Sequence, residues 1–208
     1  MNHPIIGLRR IFANRRWRGA VQSGASLIIV LIMLGVIALT SAASLRNASS
    51  NERVSNNFRM HALAQQYAEA ALRYCEAQMT LADASRVNAL KESNLFVTSG
   101  STTPAWRKQG TWSVGSSAAR TTVPEAFVVS SESAFKPGKL PDCVVEKQTL
   151  DNATVYVITA RGFSSDYTAD GRGFTVTGSV LWLQTLLSIQ GSAAVDRTWR
   201  RILNPPIY

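Results

Sequence analysis

The chain has 208 residues, 46% of them hydrophobic, and a formal net charge of +9 from 22 Lys and Arg against 13 Asp and Glu. That length suits one ordinary globular domain plus a membrane segment. Five of the positive charges lie in the first 24 residues, and the remaining 17 basic against 13 acidic residues form no dense basic stripe interleaved with aromatics, which speaks against nucleic-acid binding.

The first 24 residues carry Arg9, Arg10, Arg15, Arg16 and Arg18 and no carboxylate; the first acidic residue is Glu52. Basic residues ahead of an apolar segment hold that end on the cytoplasmic side of a membrane. Ala25 to Leu45 carries no charge, and about 20 such residues in a helix cross a bilayer core. No glycine or proline occurs from Val36 to Ser99. The apolar run is therefore predicted to pass unbroken into a polar helix rich in Ala, Arg, Glu, Gln and Leu, ending near Met79. A helix from Ala25 to that point is roughly 80 Å long, longer than a soluble domain of this size needs. In its second half Val54, Phe58, Ala68, Leu72, Cys75 and Met79 fall on one face, with His61 and Gln65 on the same stripe. Glu69 and Arg73, at i,i+4, mark the solvated side.

After about residue 95, Gly100, Pro104, Gly110, Gly115, Pro124, Pro137, Gly138 and Pro141 cut the chain into short pieces. Strands are predicted at Ala126 to Ser130, Cys143 to Glu146, Thr154 to Ala160 and Gly173 to Leu183. In the last, Phe174, Val176, Val180 and Trp182 alternate with Thr175, Thr177 and Ser179. Gly162 to Arg172, containing Asp170-Gly171, reads as a hairpin connection. Trp199-Arg200-Arg201-Ile202 reads as an edge strand ahead of Pro205-Pro206. The fold class that results is α+β: a long N-terminal helix, half membrane-embedded and half amphipathic, packed on a C-terminal antiparallel sheet.

Enzyme chemistry has little to stand on. The histidines are His3 and His61 alone, and the two cysteines, Cys75 and Cys143, are too far apart for a zinc cluster. No Gly-x-Ser-x-Gly, Walker or Gly-x-Gly-x-x-Gly motif is present. Asp166, Asp170 and Gly171 form part of a calcium-loop pattern without its distal Glu, so a polar hairpin tip is the better reading. Neither cofactor nor metal is expected. If the bulk of the chain lies outside the cytoplasm, a Cys75–Cys143 disulfide is expected; otherwise Cys75 packs in the helix stripe as a small apolar residue.

Three stretches carry a resemblance: Gln22-Ser-Gly-Ala-Ser-Leu-Ile-Ile-Val-Leu-Ile-Met-Leu, Asn51-Glu-Arg-Val-Ser-Asn-Asn-Phe-Arg-Met, and Ala64-Gln-Gln-Tyr-Ala-Glu-Ala-Ala-Leu-Arg. Together they resemble the amino-terminal region of PilX-type minor pilins, low-abundance subunits of bacterial type IV pili. The similarity is dense over residues 22–76 and looser beyond, touching Tyr156-Val-Ile-Thr-Ala-Arg-Gly and Thr198-Trp-Arg-Arg. The resemblance implies a leader at 1–24, a filament-core half of the helix at 25–52 and a periplasmic domain at 53–208. It implies cleavage by a prepilin peptidase between Gly24 and Ala25, with methylation of the new amine, so that the apolar helix is kept. The family also implies its partners: other minor pilins, the major pilin, a pilus-tip adhesin and the inner membrane. The protein would prime pilus assembly and stay at or near the tip. Ordinary pilins carry Glu at the fifth mature position; this chain has Ile29, a departure that PilX-type proteins share.

Other readings stand beside this one. One minor pseudopilin of type II secretion also lacks the glutamate. A secreted protein with an ordinary signal peptide is the alternative from another class, since Thr40-Ser-Ala-Ala-Ser offers small residues for cleavage. The glycine-free, proline-free continuation past Ser44 argues against it. No motif supports a single-pass membrane enzyme or sensor. The resemblance also implies a filament of the kind that serves twitching motility or cell adhesion.

Overall fold

The computed structural model describes residues 25–98, 102–113, 120–128, 136–150, 153–190 and 193–207. The chain divides into two compact units, Met1–Asn51 and Glu52–Tyr208. Helix α1 spans Ala25–Thr80, as the continuous composition leads one to expect. In the first unit its side chains are apolar all round and exposed from Leu27 to Leu39, unlike the single stripe of a surface helix.

In the second unit α1 becomes one-sided. Ala64, Ala68, Ala71, Cys75 and Met79 are buried at spacings of three and four residues, with Tyr67 and Leu72 beside them. The predicted stripe is shorter than expected: Val54 and Phe58 are exposed, Phe58 by 71%. Both border an open groove with Thr175, Gly178 and Val180 instead of a packed layer. Periodicity identifies the face of a helix, not how far another element covers it. The C-terminal end is closed by Arg86, whose Nη2 donates to Met79 O at 3.1 Å and whose Nε donates to Leu81 O at 3.0 Å. Those bonds satisfy carbonyls near the helix end.

Three 3-10 turns (Asp83–Ser85, Asn88–Leu90 and Glu92–Asn94) lead to β1 (Phe96–Thr98). Then come α2 (Gln109–Trp112), β2 (Arg120–Thr122), α3 (Glu125–Val128), β3 (Asp142–Leu150), β4 (Ala153–Phe163), β5 (Thr168–Ala169), β6 (Thr175–Thr177), β7 (Val180–Gln190) and β8 (Ala193–Arg201). The main sheet has the order β1-β3-β4-β7-β8, with β2 also pairing β3; β5 and β6 form a separate hairpin. The sheet is mixed and not purely antiparallel as expected, because β1 runs parallel to β3 with Phe96 opposite Glu146. A parallel pair needs a long crossover, and the chain between Thr98 and Asp142 supplies it.

Two other expectations are corrected. Residues 126–128 belong to a helical turn, not a strand; positions 129 and 130 lie outside the described residues. Pro124 suits the entry to a helical turn, and Glu125 complements the exposed N–H groups of its first residues. The single strand predicted over Gly173 to Leu183 is split in two by Gly178, whose φ of +78° breaks extended backbone. Its second part runs on to Gln190, and β4 likewise runs three residues past Ala160. The tail strand is present, longer than predicted and at the sheet edge.

Both faces of the sheet are covered. On one face Cys143, Val145, Tyr156, Ile158, Ala160, Leu181, Leu183 and Leu187 pack with the buried stripe of α1. On the other, Val144 and Trp182 pack with Trp106, Trp112 and Ile207. The helix backbone comes very close to the sheet at Gly162. A Cβ there would lie 2.1 Å from Ala68 N and 2.2 Å from Ala64 O. A glycine on the strand facing two alanines on the helix is what allows backbone to meet backbone.

Candidate functional site

Gly24 lies outside the described residues. Ala25 opens α1, and Ile29 lies about one turn further on, 55% exposed. The helix is long and apolar enough to cross a membrane, which makes it a candidate anchor or signal. Two of its hydroxyls bond back within the helix: Thr40 Oγ1 donates to Val36 O at 3.0 Å, and Ser44 Oγ donates to Thr40 O at 2.9 Å. Back-bonding to the preceding turn removes the cost of leaving those groups unpaired in an apolar surrounding.

Cys75 and Cys143 form a disulfide across 68 positions, with Cα atoms 6.7 Å apart and both residues fully buried. The bond ties α1 to β3, and so ties down the chain between them. By the loop-entropy argument, closing a loop of that length is worth about 4 kcal/mol. Cys75→Ser/Cys143→Ser should lower the urea midpoint of unfolding accordingly. A midpoint unchanged from that of the oxidised wild type would show that the bond constrains nothing.

The face away from α1 carries a buried ion pair that the sequence reading missed. Asp142 and Arg161 are register partners on β3 and β4, and each side chain is 2% exposed. Arg161 Nε meets Asp142 Oδ1 at 2.5 Å and Nη2 meets Oδ2 at 2.8 Å, a two-pronged contact. The guanidinium lies 4.9 Å from the Trp112 ring, 5.2 Å from Phe163 and 5.4 Å from Trp182. Burial pushes the Lys139 ammonium and the Arg120 guanidinium below their usual ranges, the charge of Arg161 lowers both further, and Asp142 opposes the shift. One carboxylate therefore serves a cluster of three cations. The nearest sequence signal was the apolar and aromatic character of both faces of β4 and β7, which marks a sheet covered on both sides.

Two further carboxylates anchor loops. Glu146, fully buried, accepts from the Trp106 N–H and, at 2.9 Å, from Thr98 Oγ1. It holds the 3-10 turn Ala105–Arg107 and β1 onto β3, and burial pushes its carboxyl above the usual range against the pull of those bonds. Glu92 accepts from Tyr156 Oη at 2.6 Å, Lys147 Nζ at 3.0 Å and Arg86 Nη1 at 3.2 Å. Partial burial raises its carboxyl, but these bonds outweigh that and hold it below the usual range.

Tyr156 responds in the opposite sense. Burial first, and then the bond to Glu92, push its phenol from 10.0 up to about 12. The folded state thus prefers the neutral phenol. Its contribution is complete below pH 10 and is lost as pH rises through about 12. Tyr156→Phe should flatten the alkaline side of the stability profile in that window, read by unfolding midpoints at stepped pH. An equally steep decline in the variant would assign the alkaline loss to other groups.

Among the described residues no group of three or more His, Cys, Asp or Glu side chains is arranged to hold a metal ion. The arrangement offers surfaces: an exposed apolar helix and a disulfide-braced helix–sheet domain. Compared with protein-family models, curated proteins and solved structures, the chain matches none.

Proposed function

We propose that this chain is a minor pilin of the bacterial type IV pilus, one that helps to start assembly and stays at or near the tip. The observation that carries the reading is α1 itself. One helix without a break, Ala25–Thr80, joins an uncharged run, exposed from Leu27 to Leu45, to a stripe packed on a sheet. A discarded signal peptide has no reason to continue as the central helix of the domain that follows it. A membrane anchor that is later extracted into a bundle of like helices does, and that general pilin shape is shared here. The disulfide suits a domain placed in an oxidising compartment.

In this reading the protein has no catalytic role. Its apolar helix is stored in the inner membrane with the basic end cytoplasmic, then packs against the helices of other pilins. Ile29 gives the tip its rationale. A carboxylate at that place in an apolar bundle needs a neighbour's amine to offset its burial. A subunit with Ile29 needs no such neighbour ahead of it, while its own Ala25 amine remains open to the glutamate of the next subunit. Other minor pilins, the major pilin and a tip adhesin are then the partners.

Sequencing the mature amino terminus tests this directly. A start at Ala25 is expected; a start near Ala43 means a secreted protein, and an intact Met1 means a plain anchor. Gly24→Arg should leave a product about 24 residues longer, held in the inner membrane, with piliation lost, because a side chain at the cut obstructs the peptidase. Normal trimming of that variant would remove the cleavage assignment.

A further inference from the structure

Among the described residues, β8 is the last strand on its side of the main sheet. The phase of its ladder follows from one bond: Ile202 N–H donates to Trp182 O at 3.0 Å. Hydrogen-bonded and non-bonded pairs alternate along an antiparallel ladder. Gln184↔Arg200 and Leu186↔Thr198 are therefore the bonded pairs. Leu183↔Arg201, Thr185↔Trp199 and Leu187↔Arg197 are not. Arg197, Trp199 and Arg201 turn their N–H and C=O groups outward, at exposed positions. That is a ready template for another strand.

The side chains around this edge are selective. Trp199, 58% exposed, and Arg197 border a groove of about 290 Å³ shared with Glu69, Leu72 and Glu76 of α1. A side chain placed opposite Trp199 by an added strand would enter it. The charges along β8 are unevenly compensated. Arg197 is paired with Glu76 at 3.1 Å. Arg200 instead reaches the amide oxygen of Gln184 at 2.8 Å and Arg201 the Nε2 of His61 at 2.9 Å, acceptors without negative charge. Two neighbouring guanidiniums on opposite faces of the strand are thus left without a counter-charge from these partners.

We propose that β8 is a docking edge for an extended segment of a separate polypeptide that adds antiparallel to it. That segment places acidic residues opposite Arg201 and Arg200 and an apolar residue opposite Trp199. A second copy fits less well. Antiparallel pairing of two β8 strands centred on Trp199 would set Arg197 of each opposite Arg201 of the other, bringing like charges together. The edge itself does not depend on the pilin reading.

The test uses the full chain in detergent micelles and a labelled peptide of sequence Thr-Glu-Glu-Val-Thr-Gln, capped at both ends. Saturable binding is expected, weakened several-fold when both glutamates become glutamine. In the added ladder the valine N–H faces β8 and the N–H of the second glutamate faces away. Methylating the valine amide should cost about tenfold in affinity; methylating the second glutamate's amide should cost less than about twofold. Arg200→Gln/Arg201→Gln should weaken the parent peptide and leave the glutamine peptide unaffected. Absence of binding, equal sensitivity to the two methylations, or a dimer in sedimentation that blocks the peptide would each overturn the proposal.

Discussion

Gly162→Ala should destabilise the domain by about 3 kcal/mol, more than its single added methyl suggests. The reason is the identity of the obstructing atoms. The new Cβ would meet Ala68 N at 2.1 Å, Ala64 O at 2.2 Å and Tyr67 C at 2.7 Å, all of them backbone of α1. A flexible side-chain tip can swing aside; a helix backbone can move only as a body. Lifting α1 would open the layer formed by Ala64, Ala68, Ala71 and Cys75 against Ile158, Ala160 and Leu183. It would also pull on the Cys75–Cys143 bond. Gly110→Ala is the control, since nothing lies within 4 Å of its added Cβ and it belongs to a helical turn. That change should be neutral or slightly stabilising. Urea unfolding of the two variants decides the matter. A Gly162→Ala midpoint close to wild type would mean that helix and sheet can separate at little cost.

Breaking the Asp142–Arg161 pair should have a comparable or larger effect. Removing one partner of a buried ion pair typically costs 3–5 kcal/mol, because the other charge is left without compensation. Asp142→Ala strands Arg161 among Trp112, Phe163 and Trp182, and leaves Arg120 and Lys139 without the carboxylate that offsets their mutual repulsion. Arg161→Ala strands the carboxylate and also deletes the packed stem between the rings. The double variant Asp142→Leu/Arg161→Met removes both charges while keeping bulk, and should recover most of the loss. The measurement is a double-mutant cycle on unfolding free energies, closed with Asp142→Ala/Arg161→Ala, with the Leu/Met pair measured beside it. Additive single losses would mean that the contact is incidental and that packing alone holds this face.

The two expectations probe opposite faces of one sheet. The α1 face is held by close backbone approach and a covalent bond. The other is held by a charged pair inside an aromatic box. The domain is thus braced on both faces of its sheet.

Much of this architecture was legible in the residues, where the controlling physics is local. The absence of glycine and proline from Val36 onward let α1 run unbroken, and the helix formers that follow the apolar run placed its end near Met79, one residue from the observed Thr80. The charge step around Gly24 marked the apolar half. Asp170-Gly171 marked a turn because the aspartate makes it within a few residues, its Oδ1 accepting from the N–H groups of Arg172 and Phe174 at 2.9 and 2.8 Å. Only the tertiary structure decided the rest. It left Val54 and Phe58 uncovered, turned residues 126–128 into helix behind Pro124, laid β1 parallel to β3, and broke a regular alternation at Gly178. It also joined Asp142 to Arg161 and Glu146 to Trp106, across 19 and 40 positions of chain. Local composition sets which backbone states are cheap and which face of an element is apolar. Which partner arrives at that face, and how far it reaches, depends on contacts between distant segments that exist only once the chain has closed on itself.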